Sequence, residues 1–222
     1  PIIVGHMLGK LISRKPIRSS DARAGDLIVM VKTAGIEGTA ILSTDFAEIL
    51  KDRVSEKILE RAKRFYRRIS VVEDALKLAK RNICRSMHDP TEGGVLGGVY
   101  EVAEASKLSF ILYEDKIPVA AETKIICNAL NCDPLRLIAS GSLLAALPKR
   151  EAEKAIKEVR GLTVIGDDDL PNEAVRMVDD RLYDLPQEVG VGPTTLIPLA
   201  VNLDYDDVTP TDEAVRTHTQ PS

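Results

Sequence analysis

The apolar positions of this chain change period several times, and each change marks an element. Residues 27–32 read Leu-Ile-Val-Met-Val-Lys, a nearly continuous apolar run suited to a strand covered on both faces. Leu42, Phe46, Ile49 and Leu50 then recur on one side of a helix, and Val54, Ile58, Ala62, Phe65 and Ile69 on one side of the next. Opposite them lie Lys57, Arg61, Lys63, Arg64, Arg67 and Arg68; Glu56 and Glu60 interrupt that basic face, so it reads as a solvated surface rather than an anion site. Ser70-Val71-Val72-Glu73 fits a capping box opening a helix that reaches Arg81. After an extended run at 84–87, residues 95–105 read as a helix and 108–113 as a strand. Thr123, Ile126, Cys127 and Leu130 line another helix, and Asp133-Pro134-Leu135 is expected to start a short one. Residues 143–147 and 162–165 read as strands around a charged surface helix at 151–159. Later strand candidates are 174–178 and 194–199, and the β-branched residues 2–4 end at Gly5 as a strand would. The predicted fold class is α+β, a mixed sheet flanked by helices in α/β/α layers.

Composition narrows the possibilities. At 222 residues and 44% hydrophobic the chain can bury a real core in one domain, and with 4% aromatics and no Trp that core is aliphatic. A net charge of −4 argues against a nucleic-acid-binding surface, which carries a basic excess. No apolar run approaches the ~20 residues of a membrane span, and no signal peptide is visible. Three cysteines without a close pairing motif fit a reducing, cytoplasmic setting. The chain opens Pro1-Ile2-Ile3-Val4-Gly5-His6, without Met and inside an expected strand, as a piece of a longer protein would.

Two glycine-bearing turns carry the candidate chemistry. In Ser86-Met87-His88-Asp89-Pro90-Thr91-Glu92-Gly93-Gly94, Thr91 is expected to cap the following helix with its hydroxyl. Gly93 and Gly94 would leave peptide N–H groups open to an anion at the positive end of the helix dipole. Gly93, Gly94, Gly97 and Gly98 form a strip along that helix. At about 1 kcal/mol per interior glycine, the strip demands a close neighbour, either sheet or ligand, and a purely packing role stays open. The loop Gly35-Ile36-Glu37-Gly38-Thr39 lies between strand and helix, as phosphate-cradling loops do. A dinucleotide fingerprint does not fit, because Thr33 stands where its first glycine belongs, and Lys32 is misplaced for a P-loop lysine.

Met87-His88-Asp89-Pro90-Thr91-Glu92-Gly93-Gly94, together with Gly35-Ile36-Glu37-Gly38-Thr39-Ala40-Ile41 and Cys132-Asp133-Pro134-Leu135, resembles the AIR synthase (PurM-like) superfamily. The hydrogenase-maturation carbamoyl dehydratase branch is the nearest, though it carries arginine where this chain has Glu92. The resemblance implies a C-terminal domain of an ATP-dependent enzyme, with residues 1–19 as the end of an N-terminal domain and linker, 20–201 as the domain itself and 202–222 as a flexible tail. It implies a nucleotide and a small-molecule substrate, Mg²⁺ held mostly by the N-terminal domain, and a homodimer formed by the intact protein. The two glycine turns would form one wall of the cleft, with Gly35, Glu37, Gly38, Thr39, His88, Thr91, Gly93 and Gly94 binding phosphate or substrate. Asp89 would be the catalytic carboxylate, and this piece alone would be inactive. A non-catalytic binding or assembly module of the same fold is the alternative, and Glu92 favours it.

Other constellations are weaker. Cys84, His88, Cys127 and Cys132 could be counted as four zinc ligands, but C-x3-H and C-x4-C are not zinc spacings. Asp167-Asp168-Asp169 reads as a solvated turn, and His6 as a structural histidine. The branch ends in an acceptor cysteine, whereas Cys132 is the last thiol here.

Overall fold

β1 (Asp26–Val31) is the central strand of a five-stranded sheet, which explains why its sequence is apolar from Leu27 to Val31. In this computed structural model, which describes residues 2–6, 8–12 and 15–167, the elements run in a simple order. After β1 come α1 (Ile36–Asp45), α2 (Ala47–Leu50), α3 (Glu56–Lys63), α4 (Val72–Lys80), β2 (Ser86–His88) and α5 (Gly94–Ser106). They are followed by β3 (Ile111–Leu112), α6 (Ala121–Leu130), β4 (Leu143–Pro148), α7 (Lys149–Glu158) and β5 (Leu162–Asp167). The strand order is β2-β4-β1-β5-β3, and every named pairing is antiparallel. The α+β class is as expected; the sheet expected to be mixed is antiparallel.

Alternation along β1 serves both faces. Ile28 and Met30 join Val95, Leu96 and Val99 of α5 in one apolar cluster, while Val29 and Val31 join Leu78 of α4 and Ala152 and Ala155 of α7 in the other. Helices thus cover both sides of the sheet in the α/β/α arrangement. Leu50, Val54, Leu59, Ala62 and Ile126 make a separate cluster joining α2, α3 and α6.

Some local expectations give way to tertiary contacts. Residues 2–4 are not a strand, and Ile2, Ile3 and Val4 are exposed, as is His6. Ser70 does not cap α4; Val71 precedes that helix without a side-chain cap. The Ser70 carbonyl instead accepts the Lys32 ammonium at 2.7 Å, which also pairs with Asp74 at 3.2 Å. Asp133-Pro134-Leu135 makes a turn rather than a helix, because Asp133 Oδ1 accepts the Leu135 N–H at 2.8 Å. The strand candidates 174–178 and 194–199, the tail 202–222, Asp168 and Asp169 lie outside the described residues.

The basic face of α3 is solvated as expected, with one exception that bears on stability. Arg61 reaches the side chain of Glu122, which is 8% exposed, at 2.6 Å. Arg61→Ala would leave that buried carboxylate unpaired and is expected to cost about 1–3 kcal/mol, the partial exposure of Arg61 discounting the usual penalty. A shift of the urea midpoint checks this, and a double variant with Glu122→Gln should recover much of the loss.

Candidate functional site

Antiparallel pairing gathers the candidate loops at one edge of the sheet. Val31, at the end of β1, pairs with Leu143, at the start of β4, and His88, at the end of β2, pairs with Leu144. The loops after β1 and β2 and the loop before β4 therefore emerge side by side.

Asp89 is the meeting point of these loops. The residue is exposed, and its carboxylate accepts the N–H of Gly141 from the loop before β4. Protein atoms crowding the carboxyl raise its pKa above the ordinary value, and the Glu37 carboxylate adds to the rise. The Gly141 N–H, His88 and Lys32 partly oppose it. Because the folded pKa is raised, the folded state binds the proton more tightly than the unfolded chain does. Asp89 thus makes stability fall as pH rises from the ordinary 3.8 through its folded value. Asp89→Asn should flatten that part of the pH–stability curve, as read by urea midpoints across the acidic range.

Neighbouring groups define the rest of the edge. Thr33 Oγ1 and Glu37 Oε2 are buried without a hydrogen-bond partner among the described residues. Ser142 Oγ donates to the Thr33 carbonyl at 2.7 Å, tying the start of β4 to the loop after β1. Gly141 has φ +102°, and a Cβ there would lie 2.7 Å from Ile69 Cα, so only glycine places its N–H toward Asp89. Lys32 holds φ +68°, an uncommon conformation for a side-chain-bearing residue, secured by its bonds to Ser70 and Asp74. Sequence reasoning missed Lys32, Thr33, Gly141 and Ser142 as parts of this edge. The available signal was Ser140-Gly141-Ser142 immediately before a strand.

Many of the expected peptide donors are occupied by the protein itself. The Gly38 N–H donates to Ile138 O at 2.9 Å, and the Thr39 N–H to Gly35 O at 2.9 Å. The Thr39 hydroxyl is buried against Gly35 O and the Thr123 hydroxyl, at 2.6 and 2.7 Å. Gly35 starts α1 in the left-handed conformation and lies against Thr123 and Leu137. The hydroxyl of Thr91, expected as the cap of α5, does not cap it. That helix begins after Gly93 at φ +75°, and Thr91 contributes its carbonyl, which accepts the N–H groups of Gly94 at 3.1 Å and Ala139 at 3.3 Å. Two successive left-handed glycines lengthen the turn and move Thr91 out of capping reach.

The glycine strip proves to be a packing device. Gly94 faces the backbone of Leu135, Arg136 and Leu137, while Gly98 faces Pro90 and Leu144 of β4. Gly93 is exposed, with Thr91 and Glu92 beside it. His88 is held by Ser19 at 3.0 Å and Glu101 at 2.5 Å, which turns its ring to the α5 side. One segment, residues 135–139, thus braces the starts of both α1 and α5.

The suggested zinc ligands do not converge. Cys84 packs on the α4–α7 side, Cys127 is buried on α6, and no metal-binding group of three or more His, Cys, Asp or Glu occurs among the described residues. Asp167 accepts the Tyr113 hydroxyl at 2.7 Å. No described helix is long and apolar enough to cross a membrane.

An antiparallel sheet with helices on both faces, carrying His-Asp-Pro-Thr and paired glycines at one edge, defines the class. Residues 23–167 match the family model for AIR synthase related protein, C-terminal domain, and the chain belongs to that family. Among curated relatives, a putative hydrogenase expression/formation protein of Methanocaldococcus jannaschii is 32% identical over 152 residues, covering 66% of this chain and 41% of its own length. A carbamoyl dehydratase HypE of Bradyrhizobium diazoefficiens is 30% identical over 149 residues, covering 65% of this chain and 39% of its own length. The solved structure of hydrogenase maturation protein HypE in complex with ATP shares the fold, with a TM-score of 0.53, 24% identity, and coverage of 70% of this chain and 46% of that one. AaThiL complexed with AMPPCP and TMP shares it with a TM-score of 0.55, 18% identity, and coverage of 70% and 48%. The chain spans about two fifths of the length of the curated relatives it matches.

Proposed function

We propose that this chain, over residues 20–201, is the C-terminal domain of an ATP-dependent enzyme of the hydrogenase-maturation type and forms one wall of its nucleotide and small-molecule cleft. The observation that carries this reading is the convergence on one sheet edge of Asp89, the Gly141 N–H, Lys32 and Glu37, with Thr33 Oγ1 and Glu37 Oε2 buried and unpartnered among the described residues. Relatives whose structures hold ATP or AMPPCP support it. In the intact protein, a homodimer in the cytoplasm, the nucleotide would arrive from the N-terminal side.

Each residue then has a physical task. The start of α5 presents positive dipole to phosphate oxygens at Thr91, Glu92 and Gly93. Asp89, braced by Gly141 and with a raised proton affinity, is suited to accept a proton from a nucleophile attacking a phosphoryl group. Glu37 points a buried oxygen into the same edge, while Gly35, Gly38, Thr39, Gly94 and His88 hold the loops in place. Mg²⁺ would be held mostly by the N-terminal domain, with Asp89 and Glu37 able to add a carboxylate beside phosphate oxygens and waters.

The non-catalytic module remains the second reading, favoured by exposed Glu92 where the branch carries arginine and by the internally consumed N–H groups of Gly38 and Gly94. Isothermal titration of the intact protein with Mg-ATP separates the two. The enzyme reading expects saturable heat that weakens with Gly93→Val, and heat absent from the folded wild type would sink it.

A further inference from the structure

The turn that ends α6 brings two cysteines together. Asn131 adopts the left-handed conformation at φ 55° and ψ 46°, and its N–H reaches Asn128 O at 3.4 Å. The next N–H, that of Cys132, reaches back to Cys127 O at 3.0 Å. These two bonds are a Schellman closure, in which the residue after the left-handed one lies against the residue five positions earlier, commonly as an apolar contact. Here both positions are cysteines, so the closure sets the two side chains against each other. Cys127 is buried and Cys132 is exposed.

We propose that Cys127 and Cys132 form a redox modification site, in which hydrogen peroxide oxidises the exposed thiol and the buried one closes an intramolecular disulfide. The order of events follows from access. Peroxide meets Cys132, while Cys127 stays a thiol, its pKa pushed up to about 12 by burial first and by the neighbouring Cys132 second. In the first step the Cys132 sulfur attacks one peroxide oxygen. An S–O bond forms, the O–O bond breaks, the departing hydroxide takes a proton to become water, and the sulfur is oxidised by two electrons to a sulfenic acid. In the second step the Cys127 sulfur attacks the Cys132 sulfur. An S–S bond forms, the S–O bond breaks, and the Cys127 proton leaves with the hydroxyl as a second water. Two thiols and one peroxide thus become one disulfide and two waters. Cys84 takes no part, being held in the apolar cluster on the far side of the sheet.

The test is made on the 222-residue chain. It is exposed to hydrogen peroxide, quenched with catalase, unfolded, alkylated with iodoacetamide and digested with trypsin. Cleavage after Lys124 and Arg136 leaves both sulfurs in one peptide. That peptide is expected to lose two hydrogens and escape alkylation, with free thiols falling from three to one and dithiothreitol restoring them. Cys84→Ser should leave the fate of that peptide unchanged, with free thiols falling from two to none, and Cys127→Ser should trap a dimedone-reactive sulfenic acid at Cys132. The proposal is overturned if the wild-type peptide is still alkylated at both sulfurs. It is equally overturned if Cys132 is recovered as a sulfinic acid, or in an intermolecular dimer, while Cys127 remains free. The deciding measurement is on the wild-type chain, so a variant that misfolds does not rescue it.

Discussion

Gly94→Val is expected to destabilise the domain by about 3 kcal/mol or more, a large fraction of the roughly 5–15 kcal/mol that holds an ordinary domain together. Two costs add. Gly94 holds φ +65°, where any side chain costs roughly 1–2 kcal/mol. A Cβ there would also meet the Leu135 carbonyl oxygen and lie 2.7 Å from the Arg136 carbonyl carbon and 2.8 Å from the Leu137 oxygen. Backbone cannot rotate away as a side chain can, so the overpacking penalty of about 1–3 kcal/mol is felt in full. Gly93→Ala is the informative control. It shares the positive φ, at +75°, but its Cβ would meet only the Gly97 backbone, with Cα at 3.2 Å and N at 3.8 Å. It should cost about 1 kcal/mol, mostly conformational. Equal urea midpoints for the two variants would show that residues 135–137 are not the rigid brace described above.

Asp89→Asn is expected to lower turnover of the intact enzyme about a hundredfold, the lower range for loss of a positioned acid–base group. The Michaelis constant for ATP should change little. The amide is nearly isosteric and can still accept the Gly141 N–H, so the thermal melting temperature should stay close to that of the wild type. A loss of affinity with turnover intact would assign Asp89 to nucleotide binding instead. An unchanged turnover would remove it from the chemistry and strengthen the assembly-module reading.

These two predictions rest on different kinds of information. The glycine strip was visible in the sequence as four costly residues demanding a close neighbour, but what they approach was not. Gly94 contacts a segment about forty residues downstream, and Gly98 contacts Pro90 and Leu144; no local pattern reports such partners. The same holds for Thr91 and Ser70, whose hydroxyls suit N-caps by local rules. Thr91 is displaced from the cap by two left-handed glycines, and Val71 rather than Ser70 precedes α4, with the Ser70 carbonyl held by a lysine thirty-eight residues away. Asp89 was singled out from its motif, whereas Gly141 and Thr33 entered the site only through strand pairing.

By itself the sequence determined most of the elements, because hydrophobic period is a local property: β1 is apolar from Leu27 to Val31 since both of its faces are covered. It also carried the family, through a short motif whose glycines occupy conformations closed to other residues. Tertiary structure alone decided which peptide donors remain open. A hydrogen bond to the Ile138 oxygen consumes the N–H of Gly38, and so long-range a pairing depends on how the sheet is threaded.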